Sequence, residues 1–184
     1  PKDIPVMLSA SSPVRDFITY SGEGNLSRRF FGFRGASGID GTLSLAMGLS
    51  IVLGKLVLVT GDLSLLYDTN GWLMSDFINT PLIVILIDNG GGGIFNRIGL
   101  QSSSQLDIDQ LFLMPQNVDH LSLVEAYGIP ARQISCFEDL EIAIEWGFSH
   151  KGPVLLRVCT NSSRDVILRN KIYNDLASQI ALNS

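Results

Sequence analysis

Asp62 and Asn89 are the residues of this sequence best placed to do chemistry, because each ends an apolar run and each stands beside glycine. The first run, Leu56-Val57-Leu58-Val59, stops at Gly61-Asp62-Leu63-Ser64. The second, Leu82 through Ile87, stops at Asp88-Asn89-Gly90. Gly61 permits a sharp strand-to-helix turn, and the Leu63 and Ser64 amides at the new helix start would face an anion placed there. Asp62 carries the wrong charge to bind that anion directly. A divalent cation between them resolves the conflict, since Mg²⁺ accepts carboxylate, amide and carbonyl oxygens together with substrate phosphates. Asn89 offers an amide oxygen, and Gly90 to Gly93 let a backbone carbonyl turn inward. The competing reading is structural: a helix-capping aspartate and a turn asparagine.

The elements that must position these residues follow from the same runs. Both are short, rich in β-branched residues and almost free of polar interruption, which suits strands buried on both faces of a parallel sheet. Leu63 to Phe77 is helix-compatible and long enough for a right-handed crossover between them. The two polar ends then lie side by side at the carboxyl edge of neighbouring strands, where open α/β sheets bind ligands. Ile4 to Leu8 reads as a first strand, Val14 to Tyr20 as a helix begun by Pro13, and Thr42 to Leu53 as a helix apolar on almost every side and therefore buried. Further on, Leu106 to Phe112 reads as a short helix, Leu121 to Tyr127 as a helix, and Gln133-Ile134 as a weak strand. Glu138 to Phe148 reads as an amphipathic helix and Val154 to Val158 as a buried strand. Leu168, Ile172, Leu176 and Ile180 mark one apolar face of a terminal helix. Asn96 to Gln105 has no steady period, as in functional or disordered loops. The fold class is α/β: an open, mostly parallel sheet with helices on both faces.

Arg15 falls in the first turn of its helix, where a positive charge opposes the helix dipole. It reads either as a ligand for an anion or as a solvated or Asp16-paired arginine. Gly32 to Gly41 holds four glycines, which allow close backbone approach or a tight turn into the next helix. His120 and His150 read as surface residues flanking helices, with no catalytic role.

Composition narrows the class. At 184 residues, 46% hydrophobic and 17% charged, the chain suits one domain with a sizeable core. A net charge of -5 gives no basic footprint for nucleic acid. No apolar stretch reaches membrane-spanning length. Cys136 and Cys159 stand in no metal or redox spacing and read as half-buried thiols in a reducing, cytoplasmic compartment. Pro1 in place of an initiator methionine, with no visible signal peptide, reads as a piece of a longer protein.

Gly61-Asp62-Leu63 followed by Asp88-Asn89 resembles the metal motif of thiamine-diphosphate enzymes, at the family's usual interval. Leu63 stands where that motif has a third glycine, and Asp88 where it has a first asparagine. Four further stretches, RGASGIDG (Arg34 to Gly41), GDLSLLYD (Gly61 to Asp68), NGGGGIF (Asn89 to Phe95) and LMPQNV (Leu113 to Val118), are similar to one family of these enzymes. That family is 2-succinyl-5-enolpyruvyl-6-hydroxy-3-cyclohexene-1-carboxylate synthase of menaquinone and phylloquinone biosynthesis. The resemblance runs from about Ser11 to Val158.

The resemblance implies that residues 1–184 are the C-terminal diphosphate-binding domain of a longer enzyme using thiamine diphosphate and Mg²⁺ or Mn²⁺. Asp62, Asn89 and the Gly91 carbonyl would hold the metal, with the Leu63 and Ser64 amides on the diphosphate. Ile39 would be the bulky residue that props the cofactor into its bent shape. Ser11, Arg15, Arg34, Ile94, Phe95 and Ile98 would line the substrate site, although Phe33 stands where some relatives have asparagine. The implied substrates are 2-oxoglutarate, which is decarboxylated, and isochorismate, which receives the succinyl-semialdehyde unit. Guanidinium forks suit such multiply anionic molecules. The implied assembly is a homodimer or homotetramer with the cofactor at a subunit interface. The glutamate that activates the cofactor would come from an N-terminal domain, so no catalytic residue is expected in this chain. The alternatives are another thiamine-diphosphate carboligase or 2-oxo-acid decarboxylase, or a non-catalytic dimerisation module. Asp88, as an extra buried carboxylate, would need a partner or a raised pKa.

Overall fold

The computed structural model describes residues 3–22, 28–33, 35, 38–97 and 109–183. They divide into two compact units. One comprises residues up to Asp88 together with Asn117–Cys159; the other comprises Asn89–Gln116 and Thr160 onward.

The first unit is built on a six-stranded sheet. Its strands are β1 (Val6–Leu8), β2 (Phe30–Gly32), β3 (Leu56–Gly61), β4 (Leu82–Asp88), β5 (Ala131–Ile134) and β6 (Pro153–Cys159), in the order β2-β1-β3-β4-β6-β5, and every pairing is parallel. Because side chains alternate along a strand, the two apolar runs feed two separate cores. Leu56 and Leu58 of β3, with Leu82, Val84 and Leu86 of β4, pack on one face beneath α2 (Thr42–Leu53), α3 (Asp62–Leu66) and α5 (His120–Glu125). Val57 and Ile83 face the other side, beneath α1 (Ser12–Tyr20) and α6 (Asp139–Phe148). Each fully buried leucine or isoleucine here contributes about 1.5–3 kcal/mol. The expected α/β class, with helices on both faces, is observed.

Three elements differ from expectation. The crossover after β3 is not one helix: α3 ends at Leu66, and Thr69–Phe77 continue as a 3-10 helix. The break follows from Asp68, whose carboxylate turns away to accept the Ser44 amide at 2.7 Å and the Ser44 hydroxyl at 2.9 Å. β2 has no strong sequence signature, being three residues long and partly exposed at the sheet edge. On α2, Leu43, Ala46 and Met47 are buried, but Ile51 and Val52 are exposed, so the helix is covered on one side only.

The second unit contains the glycine-rich turn after Asn89, α4 (Ile94–Arg97), a π-helical turn (Asp109–Leu113) and α7 (Ser162–Asn183). Arg97 and Arg169 both meet the Asp165 carboxylate at 2.9 Å, and the Asn96 amide donates to the Ser162 hydroxyl at 3.1 Å, so α4 is tied to the start of α7. Leu168 and Leu176 of α7 are exposed and Ile172 is half-buried, so these three residues of the apolar stripe read from the sequence are not covered. No helix among the described residues is long and apolar enough to cross a membrane.

Candidate cofactor-binding site

β1 and β3 are neighbours, yet the chain leaves β1 into α1 on one face of the sheet and leaves β3 into α3 on the other. This divergence opens a crevice at the carboxyl ends of the two strands, the switch point where doubly wound sheets take ligands. Ser11 and Arg15 occupy the α1 side of it, and Asp62, Leu63 and Ser64 the α3 side.

On the α1 side, Ser11 has φ 73° and ψ -130°, a combination that costs a non-glycine residue on the order of 1–3 kcal/mol and clusters at ligand sites. Its carbonyl accepts the Arg15 guanidinium at 2.8 Å. Two expected substrate residues are thus brought together, with the arginine exposed to incoming anions.

On the α3 side, Asp62 is 2% exposed, and its carboxylate accepts the Leu63 amide at 2.7 Å. Leu63 therefore spends its amide on Asp62, a use the sequence reading did not foresee. Among the described residues, no atom lies within 4 Å of where a Cβ on Gly61 would stand, so a ligand can approach that backbone closely. The half-buried Ile39 also belongs to this unit, its carbonyl accepting the Ser64 hydroxyl at 2.8 Å.

Gly61 pairs with Ile87, so Asp62 and Asp88 leave the sheet at the same level. Asp88 is 8% exposed and has the partner its burial demands: Arg157 of β6, whose Nε and terminal nitrogen both reach Oδ2 at 2.7 Å. Burial works against the Arg157 charge, but the hydrogen bond and charge of Asp88 outweigh it and hold the guanidinium above the usual arginine range. Arg157→Met should cost about 3 kcal/mol by removing the cation that faces a buried carboxylate, read as faster amide exchange in β4 and β6. Asp88→Asn should cost about 1 kcal/mol, because a part-exposed arginine can turn to water.

His120 corrects the sequence reading. It is 2% exposed, not on the surface, and among the described residues its Nδ1 has no hydrogen-bond partner. Asp119 caps α5 by accepting the Leu121 and Ser122 amides, which makes His120 the first helical residue and puts it on the face of buried Val124. That four-residue spacing was the available sequence signal. Burial lowers the His120 pKa, while the charges of Asp88 and Asp62 resist the shift. A histidine depressed in the folded state contributes stability that is fully present above its ordinary value of about 6.5 and is lost as pH falls below that value. Acidification from pH 7.5 to 5.5 should therefore loosen this unit, and His120→Gln should flatten that part of the melting profile. Cys136 and Cys159 are exposed rather than half-buried.

In the second unit, Gly91 has φ 145°. The Gly92 amide donates to the Leu113 carbonyl at 2.6 Å and the Gln116 amide to the Gly90 carbonyl at 2.9 Å, which fixes the turn against residues 113–116. A Cβ on Gly93 would stand 2.7 Å from the Asn89 side-chain nitrogen, so the Asn89 amide occupies space that any other residue at 93 would fill. Ile94 and Phe95 are half-buried, Phe95 lying edge-on to Phe112 at 5.5 Å. Arg34 and Ile98 lie outside the described residues, as does most of the expected loop from Asn96 to Gln105.

The residues present fit a hard cation held on a phosphate. Asp62 supplies one buried carboxylate, and among the described residues no group of three or more His, Cys, Asp or Glu side chains could hold a metal alone. A cation here would take amide, carbonyl and phosphate oxygens, as Mg²⁺ does. A cavity of about 1010 Å³ lies elsewhere, between α6 and the amino ends of the strands, lined by Ile4, Lys55, Pro81, Leu140, Ile144 and Phe148. It includes none of the candidate residues and occupies the edge that open α/β sheets leave unused.

The fold is an open α/β domain with a switch point at the carboxyl ends of β1 and β3, and the sequence match makes the class specific. Residues 17–158 match the family described as thiamine pyrophosphate enzyme, C-terminal TPP binding domain, and the chain belongs to that family. Its curated relatives include the 2-succinyl-5-enolpyruvyl-6-hydroxy-3-cyclohexene-1-carboxylate synthases of Prochlorococcus marinus strain NATL1A, 58% identical over 100% of this chain and 31% of the relative, and Synechococcus sp. strain CC9311, 50% identical over 100% of this chain and 32% of the relative. The chain thus spans about a third of those proteins. Among solved structures, benzoylformate decarboxylase from Polynucleobacter necessarius aligns with a TM-score of 0.73 at 22% identity, covering 88% of this chain and 31% of that one, a likeness of fold.

Proposed function

We propose that this chain is the diphosphate-binding domain of a thiamine-diphosphate-dependent transferase that decarboxylates 2-oxoglutarate and adds the succinyl-semialdehyde unit to isochorismate. The observation that carries the proposal is the crevice between β1 and β3, with buried Asp62 on one side and the Ser11–Arg15 pair on the other. RGASGIDG and GDLSLLYD support the choice of this transferase over other carboligases. Asp62, Asn89 and the Gly91 carbonyl would hold Mg²⁺, or Mn²⁺ in its place, with the Ser64 amide on the diphosphate and Leu63 reaching it after releasing Asp62. Ile39 would support the cofactor from beneath. Thiamine diphosphate, when bound, supplies the electron sink for decarboxylation. Arg15, with Arg34, would hold substrate carboxylates, and Ser11, Ile94, Phe95 and Ile98 would line the pocket and exclude water.

The activating glutamate would come from another domain across a subunit interface in a cytoplasmic homodimer or homotetramer. Exposed Ile51 and Val52 on α2, and Leu73 and Phe77 on the 3-10 helix, support an extensive interface on this unit. The test is product analysis of the full-length enzyme given both substrates with cofactor and Mg²⁺. Carbon dioxide release from 2-oxoglutarate with formation of the isochorismate adduct is expected. Decarboxylation to a free aldehyde, with no adduct, would identify a decarboxylase instead, and no reaction at all would favour a non-catalytic module.

A further inference from the structure

Ser64 is 4% exposed and Thr42 is 1% exposed, and both hydroxyls converge on one backbone atom, the Ile39 carbonyl oxygen. Ser64 Oγ donates to it at 2.8 Å, Thr42 Oγ1 lies 3.2 Å from it, and the two hydroxyl oxygens are 3.2 Å apart. A carbonyl has two lone pairs and each hydroxyl one proton, so the arrangement saturates that oxygen. The Thr42 contact is local, a helix-start hydroxyl reaching back three residues. The Ser64 contact spans 25 residues and joins α3 to the glycine-rich segment before α2. A second tie, from Ser44 in α2 to Asp68 just beyond α3, lies next to it in sequence. Between Gly38 and Gly41, with Gly41 at φ 65°, the local backbone does little to fix where Ile39 stands.

We propose that Ser64 and Thr42 are positioning residues whose hydroxyls set the height of Ile39, and that α3 thereby gauges the distance between the Asp62 end of the site and the residue supporting the cofactor. The inference rests on the reading of Ile39 as that support. It divides Ser64 into two roles: the amide faces the diphosphate, and the hydroxyl is turned away into the fold. Asp62 and Ser64 share one five-residue helix, so movement of either anchor is transmitted to the other.

The test uses full-length holoenzyme carrying Ser64→Ala, Thr42→Val or both, with Thr42→Ser as the conservative rescue and Ile39→Ala as the control. Three quantities are read: the dissociation constant for thiamine diphosphate with Mg²⁺, kcat at saturating cofactor, and near-ultraviolet circular dichroism per bound cofactor, which reports its fixed conformation. Ser64→Ala should lower kcat about tenfold, since small misplacements near reacting atoms carry large rate penalties. It should also alter the dichroism, while the dissociation constant changes less than about threefold because the diphosphate clamp is intact. Thr42→Val, which keeps the side-chain shape, should act in the same direction, Thr42→Ser should restore the wild-type signal, and the double variant should be less than additive. Wild-type kcat and dichroism in both single variants, alongside an impaired Ile39→Ala, would overturn the inference and leave the reading of Ile39 standing. An unimpaired Ile39→Ala would overturn that reading, and the inference with it. A drop in melting temperature without change in dichroism would reduce the two hydroxyls to structural ties and equally overturn it.

Discussion

Replacing Asp62 with alanine should abolish Mg²⁺-dependent binding of thiamine diphosphate while leaving the first unit folded. The two effects differ in size: at the start of α3 the Asp62 carboxylate accepts the Leu63 amide at 2.7 Å, and loss of such a bond at a helix start costs about 1 kcal/mol. The sheet cores beneath it involve other residues and stay intact. The ligand cost is far larger. Changes one shell beyond a metal already cost about 10–100-fold in affinity, so loss of a carboxylate ligand should exceed about a hundredfold. Without that charge, the cation has less to hold it beside the diphosphate. Asp62→Asn keeps the shape and an oxygen but not the charge, and should fall between wild type and alanine. Calorimetry on the full-length protein, with and without a chelator, reads both. Affinity that Asp62→Ala leaves unchanged, or that the chelator does not alter in the wild type, would remove Asp62 from the metal site.

The legible parts of this molecule were those governed by local pattern. Two apolar runs ending at glycine and a carboxylate announced β3 and β4 and placed Asp62 at the carboxyl edge of the sheet, because a strand buried on both faces has a distinctive composition. What stayed hidden depended on register and on coverage. Arg157, in an otherwise apolar strand, needed a counter-charge, and only the pairing of Leu86 with Arg157 brings Asp88 within reach. His120 looked like a polar residue beside a helix until the Asp119 cap fixed which side of α5 it faces. The break after α3 could not be read from the apolar spacing of 63–77, since its cause, the Asp68–Ser44 contact, lies 24 residues away in sequence. The sequence showed α2 as apolar on almost every side and α7 as carrying one apolar stripe, yet Ile51 and Val52 of α2 and Leu168 and Leu176 of α7 are exposed. Periodicity reports that such a stripe exists and is silent on whether this chain or a partner covers it.

The glycine-rich turn after Asn89 yields the second large effect, and Gly91→Ala is its measure. At φ 145° a side chain is strained by about 1–3 kcal/mol whatever the space available. Space is also lacking: a Cβ at 91 would overlap the Leu113 carbonyl oxygen and stand 3.0 Å from that of Met114, and both are backbone atoms that rotamer changes do not move. Relief would require residues 113–114 to shift, which breaks the short Gly92-to-Leu113 bond and strains the bond from Gln116 to Gly90. Gly90→Ala separates the two causes. Gly90 also has a positive φ, 79°, but its nearest neighbour would be 3.9 Å away, so it should suffer only the dihedral penalty of about 1 kcal/mol. Gly91→Ala should therefore destabilise this unit by about 3 kcal/mol or more, seen as rapid amide exchange over residues 90–97 and 113–116. It should also weaken Mg²⁺-dependent cofactor binding more than Gly90→Ala does, because the proposed metal ligand at 91 is its own carbonyl and turns with the backbone. If Gly91→Ala loosened the turn and bound cofactor as wild type does, the carbonyl would be no ligand, and the glycine would owe its place to the close passage of residues 113–114 alone.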